Sequence, residues 1–253
     1  MKLGIISAFN EELNLILDDL QIKNKTRVGS RSFYEGNLYG QEVIIVFCRY
    51  GKVAATITAT CLIERFGVDA IIFTGVAGGI EKNAHIGDVV VGNHFIQHDF
   101  DASPIFPRYE IPLTPKEGLR SDVRLTQMLT ESVRQFIHSY ADFISEDLVN
   151  EFHLHSPQMY IGAIATGDQF IKEQSTKDRI TSAFPDVVCV EMENGAVAQV
   201  CNDFEIPFAA VRTISDSANE DAHVDFTAFC ERIASKYSLG IIRNFISILR
   251  KEV

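Results

Sequence analysis

The sequence predicts an α/β fold, a single domain with a mixed, mainly parallel central sheet flanked by helices. Short apolar runs of strand length alternate with longer segments of helical periodicity, which is the pattern of strand–helix units in such a sheet. Several short runs are apolar at every position, as in strands that are covered on both faces. The chain has 253 residues and a hydrophobic composition of 46%. We therefore expect residues 1–253 to form a single domain with one hydrophobic core.

The predicted strands are runs of apolar and β-branched residues bounded by glycines or polar residues. In chain order they cover residues 2–7, two segments of 31–48 around Gly36 and Gly40, then 70–74, 88–91, 94–98, 160–165, 187–190 and the apolar half of 208–219. The strand over 70–74 is expected to end at a glycine-rich turn, Gly75–Gly79, and the last strand turns polar abruptly at Ser215 and Asp216.

The predicted helices lie between these strands and repeat apolar residues at a spacing of three and four. They cover residues 10–20, 52–65, 121–137, 174–183, 192–203 and 225–250. Four prolines fall between residues 101 and 118, and because proline lacks an amide donor and fixes its own φ, no regular structure is expected in that segment.

Composition and charge exclude several classes of protein. The formal charge of −11 at pH 7 argues against a nucleic-acid or anionic-membrane surface. No run of about 18 apolar residues is present, so no membrane span is expected, and the acids after the first apolar run indicate a strand rather than a signal peptide. The five cysteines are scattered and set in apolar contexts, which predicts free thiols and a cytoplasmic protein.

Four polar clusters fall at strand ends or in the turns that follow them. They are Asn10-Glu-Glu12, Gly75–Gly79, Val190-Glu-Met-Glu193, and Arg212 with Ser215-Asp216. Proteins of the α/β class place their chemistry beyond the carboxyl ends of the strands, and a charge such as Arg212 inside an apolar strand needs a partner. Each of the three acidic clusters alone is also explained as a helix start, because Ser and Asp cap helices and acids favour the first turn. The spacing of Gly75–Gly79 matches no phosphate-binding or dinucleotide motif, but its glycines allow backbone to approach a ligand closely.

Together, these and further motifs resemble the 5′-methylthioadenosine/S-adenosylhomocysteine nucleosidases, within the purine nucleoside phosphorylase and uridine phosphorylase superfamily. The resemblance covers nearly the whole chain. Its motifs are Gly4-Ile-Ile-Ser-Ala-Phe-Asn-Glu-Glu12, Gly51-Lys-Val-Ala-Ala55, Thr74-Gly-Val-Ala-Gly-Gly79, Gly87-Asp-Val-Val90, His98-Asp-Phe-Asp101, Thr166-Gly-Asp-Gln-Phe-Ile171, Val190-Glu-Met-Glu193 and Val211-Arg-Thr-Ile-Ser-Asp216.

The resemblance implies a nucleoside phosphorylase-like fold, a homodimer, a small-molecule nucleoside substrate, no cofactor and a part in methionine salvage. The activity it implies is hydrolysis of the N-glycosidic bond of 5′-methylthioadenosine, S-adenosylhomocysteine or another 5′-modified adenosine, with release of adenine. By the same resemblance Asp216 would protonate the purine N7, Glu12 would take a proton from the attacking water, and Arg212 would help to hold that water. A carboxyl group that donates near neutral pH needs a raised pKa or a dry site.

The resemblance assigns a second group of residues to substrate binding. Glu193 would accept hydrogen bonds from the ribose 2′ and 3′ hydroxyls, since one carboxylate can take both. Met192 and Phe170 would line the ribose and stack on the purine, and backbone groups of Ile171 would read the purine edge.

The sequence departs from the family pattern near the nucleophile and the ribose 5′ end. Several family members have Ser where Val76 stands, so Val76 offers only its backbone there. Arg49 and Tyr50 replace small or aliphatic residues, and Phe9 lies on the adjacent turn. Two interpretations stay open: Arg49 binds a polar or carboxylated 5′ substituent through a charge-assisted hydrogen bond, or Arg49 faces solvent and Tyr50 forms an apolar wall.

Two segments have open roles. The proline-rich segment 101–118 either closes over the 5′ pocket of a neighbouring subunit or is an ordinary surface loop. Residues 138–157 are expected to be an insertion, and although His153 and His155 alternate there, a metal site needs a further ligand, so no metal is expected.

Two other functions compete with the hydrolase. A purine nucleoside phosphorylase on the same fold would use phosphate as the nucleophile, but the turn from Ser7 to Glu12 is acidic and would repel it. Arg49 keeps this alternative open. A nucleoside-binding or sensing protein would not need Glu12, Glu193 and Asp216 together, because a binder requires no base for water. Adenine release with and without phosphate separates all three.

Overall fold

The computed structural model describes residues 1–115, 118–154, 156–218 and 222–252, and of residues 222–225 the backbone only. The strands are β1 Leu3–Ser7, β2 Gln21–Val28, β3 Arg31–Leu38, β4 Gln41–Phe47, β5 Ala70–Gly79, β6 Val89–Gln97, β7 Leu119–Arg120, β8 Met159–Thr166, β9 Val187–Glu191 and β10 Phe208–Asp216. The helices are α1 Asn10–Asp19, α2 Lys52–Glu64, α3 Val123–Ser139, α4 Glu146–Glu151, α5 Gln174–Ala183, α6 Asn194–Asp203, α7 Ala222–Phe229 and α8 Ser235–Lys251.

The strands form one mixed sheet flanked by helices, which confirms the predicted fold class. Strand β1 lies parallel between β4 and β5, and β3 and β2 extend the sheet antiparallel beyond β4. On its other side, β5 pairs with both β9 and β10. Because β10 continues through β6 and β8 back to β9, these five strands close into a barrel.

Apolar side chains of the central strands β1, β5 and β10 cover both faces of the sheet, since these strands are buried on both sides. Ile72 of β5 belongs to the cluster that packs on α1, α3 and α8, whereas its neighbours Ile71 and Phe73 face the cluster that packs on α2 and α6. This alternation explains why the strands read as continuous apolar runs in the sequence.

The ends of three barrel strands meet at one place. Gly78 of β5 pairs with Val190 of β9 and with Asp216 of β10, at a register irregularity between Ile214 and Asp216. The polar residues that follow the apolar runs are therefore brought to the same end of the barrel.

Several boundaries differ from the sequence-based prediction. The glycine-rich segment 75–79 is not a turn but the second half of β5, and Ser215 and Asp216 lie inside β10. The strands expected over 88–91 and 94–98 are one strand, β6, with an irregularity between Gly92 and His94. Strand β2, which is polar and largely exposed, was not predicted, because it lacks an apolar face.

Three further segments, namely the last helical stretch, residues 138–157 and the proline-rich segment, are helical or irregular over their described residues. The final helical stretch is interrupted by a π-helical turn over Cys230–Ala234, which joins α7 to α8. Segment 138–157 contains a short 3₁₀ turn and α4, and the described residues of 101–118 hold no helix or strand before Leu119. Across the described ranges, no helix combines the length and the apolar character needed to cross a bilayer.

Candidate active site

A cavity of about 370 Å³ opens where β5, β9 and β10 end. Its wall is formed by these strand ends, by the loop after β8 and by aromatic residues from α7 and from the segments that precede α1 and α2. The lining residues are Phe9, Tyr50, Val76, Ala77, Gly78, Gln169, Phe170, Ile171, Val190, Glu191, Met192, Glu193, Asp216 and Phe226. The predicted substrate-binding residues and Asp216 are all in this wall, whereas Glu12 and Arg212 lie buried behind it.

Glu12 is fully buried in the first turn of α1, where its neighbour Glu11 is exposed. Its Oε1 accepts a hydrogen bond from the Val76 amide at 2.8 Å, and its Oε2 accepts one from the Ser7 hydroxyl and one from the Phe9 amide at 3.1 Å. Burial raises the pKa of Glu12, against the opposing effects of Arg212 and of these donors. The residue is thus a fixed carboxyl group with more basic character than an exposed glutamate.

Arg212 finds its buried partner in Glu191, which sequence reasoning recognised only as one of two adjacent acids. Arg212 Nη2 lies 2.7 Å from Glu191 Oε2 and 3.0 Å from Asn194 Oδ1, and it approaches Glu193 Oε2 at 3.7 Å. The guanidinium also stacks over Phe73, 4.2 Å from the ring centroid. These contacts neutralise a cation that could not otherwise remain in the core.

The other donors of Arg212 face Glu12. Within the described residues, Arg212 Nη1 and Nε have no hydrogen-bond partner. A Cβ atom at Gly75 would lie 2.5 Å from Arg212 Nη1 and 2.9 Å from Glu12 Oε1, so both groups converge over this glycine. A buried donor without a partner is costly, and here it lies near the Glu12 carboxylate behind the cavity wall.

Glu193 lies in the cavity wall, close to a second carboxylate. Its Oε1 accepts the Gly51 amide at 2.9 Å. Burial and the nearby Glu191 raise the pKa of Glu193, and Arg212 opposes this shift. Glu191 is held differently, because it accepts hydrogen bonds from the Thr166 hydroxyl and the backbone amide of Glu193 in addition to Arg212.

Asp216 is buried at the end of β10, on the cavity wall. Its Oδ1 accepts the Ala218 amide at 2.9 Å, and the Ser215 hydroxyl donates to its Oδ2 at 2.8 Å. The residue thus has a fixed orientation. The helix-cap interpretation of Ser215 and Asp216 does not hold, since both residues belong to the strand.

Four aromatic rings in mutual contact line the cavity, and we call them the aromatic collar: Phe9, Tyr50, Phe170 and Phe226. The ring centroids of Phe9 lie 4.6 Å from Tyr50 and 5.0 Å from Phe226, and those of Phe170 and Phe226 are 5.7 Å apart. Sequence reasoning missed Phe226. The available signal was its position in the predicted helix over 225–250, which follows the Asp216 segment.

Arg49 is not part of the cavity wall. Its side chain is exposed, it has a φ of 72°, and it forms no ion pair within the part of the chain that the structure describes. The adjacent Tyr50 lines the cavity instead. This placement favours the interpretation in which Arg49 faces solvent and Tyr50 forms an apolar wall, and the role of Tyr50 at the 5′ end of a substrate stays a prediction.

In the described ranges, no group of three or more His, Cys, Asp or Glu side chains is placed to hold a metal ion. Of the two histidines weighed as metal ligands, His155 lies outside the described residues, and His153 has a φ of 55° after α4.

Comparison with known proteins agrees with this architecture. The family model described as "Phosphorylase superfamily" matches residues 2–247. The 5′-methylthioadenosine/S-adenosylhomocysteine nucleosidase of Anoxybacillus flavithermus is 32% identical over 252 residues, which is 99% of this chain and 100% of the relative. The chain therefore belongs to the phosphorylase superfamily and, within it, to the family of the 5′-methylthioadenosine/S-adenosylhomocysteine nucleosidases.

Two solved structures show the range of similar proteins. The nucleosidase of the same name from Neisseria meningitidis, in complex with methylthio-immucillin-A, has a TM-score of 0.86 and 28% identity, and the match covers 98% of this chain and 99% of that one. The futalosine hydrolase of Helicobacter pylori has a TM-score of 0.83 and 31% identity over 98% of each chain.

Proposed function

We propose that the protein hydrolyses the N-glycosidic bond of 5′-modified adenosines and releases adenine, with 5′-methylthioadenosine and S-adenosylhomocysteine as its substrates. The observation that carries the proposal is the arrangement of carboxyl groups around the cavity. Glu12 lies buried behind its wall beside free donors of Arg212, and Asp216 lies in the wall itself. The similarity to nucleosidases over the full chain supports the same activity.

In this proposal Glu12 is the general base. A water held between Glu12 and Arg212 gives a proton to Glu12 while its oxygen bonds to C1′ of the ribose. The raised pKa of Glu12 suits this role, because a base closer in pKa to the working pH takes a proton more readily. Val76 contributes its amide, which fixes Glu12 Oε1.

Asp216 completes the reaction on the other side of the scissile bond. As the bond between C1′ and the purine N9 breaks, its electron pair moves into the purine, and Asp216 donates a proton to N7. The products are adenine and a 5′-modified ribose. One carboxyl group thus acts as the general base and the other as the general acid, which is the usual pattern of acid–base pairs in enzymes.

The remaining cavity residues bind the substrate. Glu193 accepts hydrogen bonds from the ribose hydroxyls, and Met192 packs against the ribose. Phe170 stacks on the purine, whose edge is read by the backbone of Ile171, and both residues lie in the loop after β8. The aromatic collar surrounds the 5′ substituent.

Phosphorolysis is the second candidate, and the charges at the cavity disfavour it. No lysine or arginine is found in the wall as far as the structure describes it. The guanidinium behind the wall is already paired with Glu191 and is close to Glu193. A phosphate at the position of the water would lie against the Glu12 carboxylate, and that repulsion would weaken phosphate binding.

The test is adenine release from 5′-methylthioadenosine by the purified protein, with and without phosphate. We expect equal rates in both and free methylthioribose as the second product. A rate that requires phosphate, with 5-methylthioribose 1-phosphate as product, would establish phosphorolysis. Binding of the nucleoside without turnover in either buffer would leave a sensing protein.

Asp216→Asn and Glu12→Gln test the assigned roles. Each keeps the shape of the side chain and removes the proton transfer, so we expect kcat to fall by about 10²–10⁴-fold with adenine affinity retained. Activity within about tenfold of the wild type in either variant would reject the corresponding assignment.

We further propose a homodimer in the cytoplasm with a part in methionine salvage. Ile105 and Leu113 of the proline-rich segment are almost entirely exposed, at 82% and 104%, and such apolar residues favour burial against a second copy. All five cysteines are free, as expected in a reducing compartment. Hydrolysis of methylthioadenosine leaves the methionine sulfur on the ribose, which can then re-enter methionine synthesis.

A further inference from the structure

A ring of charged and amide groups lies beside the cavity, where three of the sequence motifs meet. Lys52 Nζ, at the start of α2, forms an ion pair of 2.7 Å with Asp99 Oδ1, just beyond the end of β6. The two side chains are only 19% and 18% exposed. Lys52 Nζ also donates to Gln97 Oε1 at 3.3 Å, so the ammonium group is held on two sides.

Asp168, in the loop after β8, closes the ring. Its amide donates to Asp99 Oδ2 at 2.9 Å, and its own Oδ1 accepts the Lys52 amide at 2.8 Å. Burial alone would raise the pKa of Asp99, but the Lys52 ammonium and the Asp168 amide outweigh it and hold the pKa below its usual value. Asp99 therefore stays ionised, and its two oxygens bind α2 and the loop after β8 to the end of β6.

Each arm of the ring leads directly into the cavity wall. Gly51, the residue before Lys52, donates its amide to Glu193 Oε1 at 2.9 Å. The residues that follow Asp168 are Gln169, Phe170 and Ile171, which line the cavity. The ring is thus a short link between the carboxylate assigned to the ribose and the loop assigned to the adenine.

The backbone at Gly51 shows how closely these parts are packed. Gly51 has a φ of 87°, and a Cβ atom there would lie 2.9 Å from Asp168 Oδ1. A side chain at this position would therefore press on the carboxylate that accepts the Lys52 amide. The close approach is possible only because residue 51 is glycine.

We propose that the ring of Lys52, Asp99 and Asp168 is a positioning network that sets the distance between the ribose site and the adenine site. None of the three residues lines the cavity, so they act through Gly51, Glu193 and the loop 169–171. This inference rests on the proposed function. Contacts to the ribose and the adenine are present both in the bound substrate and in the transition state. Losing contacts that stabilise both states equally raises KM more than it lowers kcat.

The test compares Lys52→Met, Asp99→Asn and Lys52→Arg with the wild type, using full kinetics on 5′-methylthioadenosine and the Kd of adenine measured separately. In Lys52→Met and Asp99→Asn we expect KM and the adenine Kd to rise by about tenfold, with kcat within about threefold. Lys52→Arg keeps a cation opposite Asp99 and should restore most of the KM.

Arg124→Met is the matched control, because it breaks an exposed ion pair with Glu252 that is 3.0 Å long and involves α3 and the end of the chain rather than the cavity. It should leave KM and kcat unchanged. If Lys52→Met does not fold, Asp99→Asn decides, since asparagine keeps the size of the side chain.

An Asp99→Asn variant with the KM of the wild type would overturn the inference. A fall of kcat with unchanged KM would also overturn it, because that result indicates only a smaller folded fraction of the enzyme. Absence of adenine release from the wild type would instead reject the proposed function. The adenine Kd still tests the network in that case.

Discussion

At the scale of single residues, the basicity of Glu12 results from a competition between burial and the donors around it. Burial raises its pKa, while Arg212, the Ser7 hydroxyl and the amides of Phe9 and Val76 lower it. Ser7 is the one donor among these that can be removed without changing the backbone or the charge of the site.

Ser7→Ala is therefore expected to raise the pKa of Glu12. Since the base must be ionised to accept a proton, the acid limb of the pH profile of kcat/KM should move to higher pH. The measurement is that profile for the wild type and the variant. Ser132→Ala removes another buried hydroxyl, which donates to the Ile241 carbonyl far from the cavity, and should leave the limb in place. An acid limb that does not move in Ser7→Ala would contradict the assignment of Glu12 as the base.

Glu193 links the chemistry of the site to the stability of the fold. Its pKa is raised above the ordinary value of 4.5, first by burial and then by Glu191. As the pH rises above 4.5, the unfolded chain loses this proton while the folded protein keeps it, so folding becomes less favourable until the pH passes the raised pKa. Above that pH, the folded protein carries the full destabilisation that comes from burying the ionised Glu193.

Glu193→Gln removes this ionisation and keeps an oxygen for the Gly51 amide. We expect the free energy of unfolding of the variant, relative to the wild type, to be higher at about pH 8 than at about pH 5. Urea denaturation at both values measures it. Glu64→Gln, at the exposed end of α2, should show no such difference, and an equal effect of pH on the wild type and Glu193→Gln would contradict the raised pKa.

At the scale of elements, the aromatic collar is assembled from parts that are distant in the chain. Phe9 precedes α1, Tyr50 precedes α2, Phe170 follows β8 and Phe226 belongs to α7. Their rings present apolar area to the cavity, where we propose that the 5′ end of the substrate binds, while Arg49 is exposed to solvent. We therefore expect the collar to contribute apolar contacts to the 5′ substituent.

Tyr50→Ala is expected to lower kcat/KM for 5′-methylthioadenosine by about tenfold, because losing roughly 55 Å² of apolar contact costs about 1.4 kcal/mol. Tyr50→Phe keeps the ring and should stay close to the wild type.

Arg49→Ala should leave the relative kcat/KM values for 5′-methylthioadenosine, S-adenosylhomocysteine and a carboxylated 5′ analogue unchanged. A selective loss of the carboxylated substrate in Arg49→Ala would show that Arg49 reaches the substrate.

At the scale of the whole molecule, closure of five strands into a barrel is what assembles the site. Strand β5 pairs with β1, β9 and β10 along its length, and its glycines allow side chains from two of these neighbours to approach. At Gly75 the missing side chain leaves room for Glu12 and Arg212 to converge. Glu12 and Arg212, to which we assign catalytic roles, are therefore held in the buried interior of the fold.

The exposed apolar residues of the proline-rich segment lead to a prediction about the assembly. We expect the wild type to sediment as a dimer at micromolar concentration, and Ile105→Asp with Leu113→Asp to shift it toward monomer, because each carboxylate would be buried without a partner. Ile22→Asp, on the exposed strand β2, is the control. A wild type that sediments only as monomer would reject the dimer.

Much of this organisation could be predicted from the sequence by itself. Continuous apolar runs determined that the strands are buried on both faces, and the polar residues after them determined which end of the sheet carries the chemistry. Arg212 within such a run also required a buried anion. These properties depend on local pattern and on the cost of burying charge, and both are visible in one chain.

Only the tertiary structure decided which groups meet. The partner of Arg212 is Glu191 rather than a residue foreseen for that role, Phe226 completes the collar, and Arg49 is outside it. The pattern Val190-Glu-Met-Glu193 contains two acids that local sequence does not distinguish. Their environments differ because strand register and barrel closure set the direction of each side chain, and those depend on pairings between residues far apart in the chain.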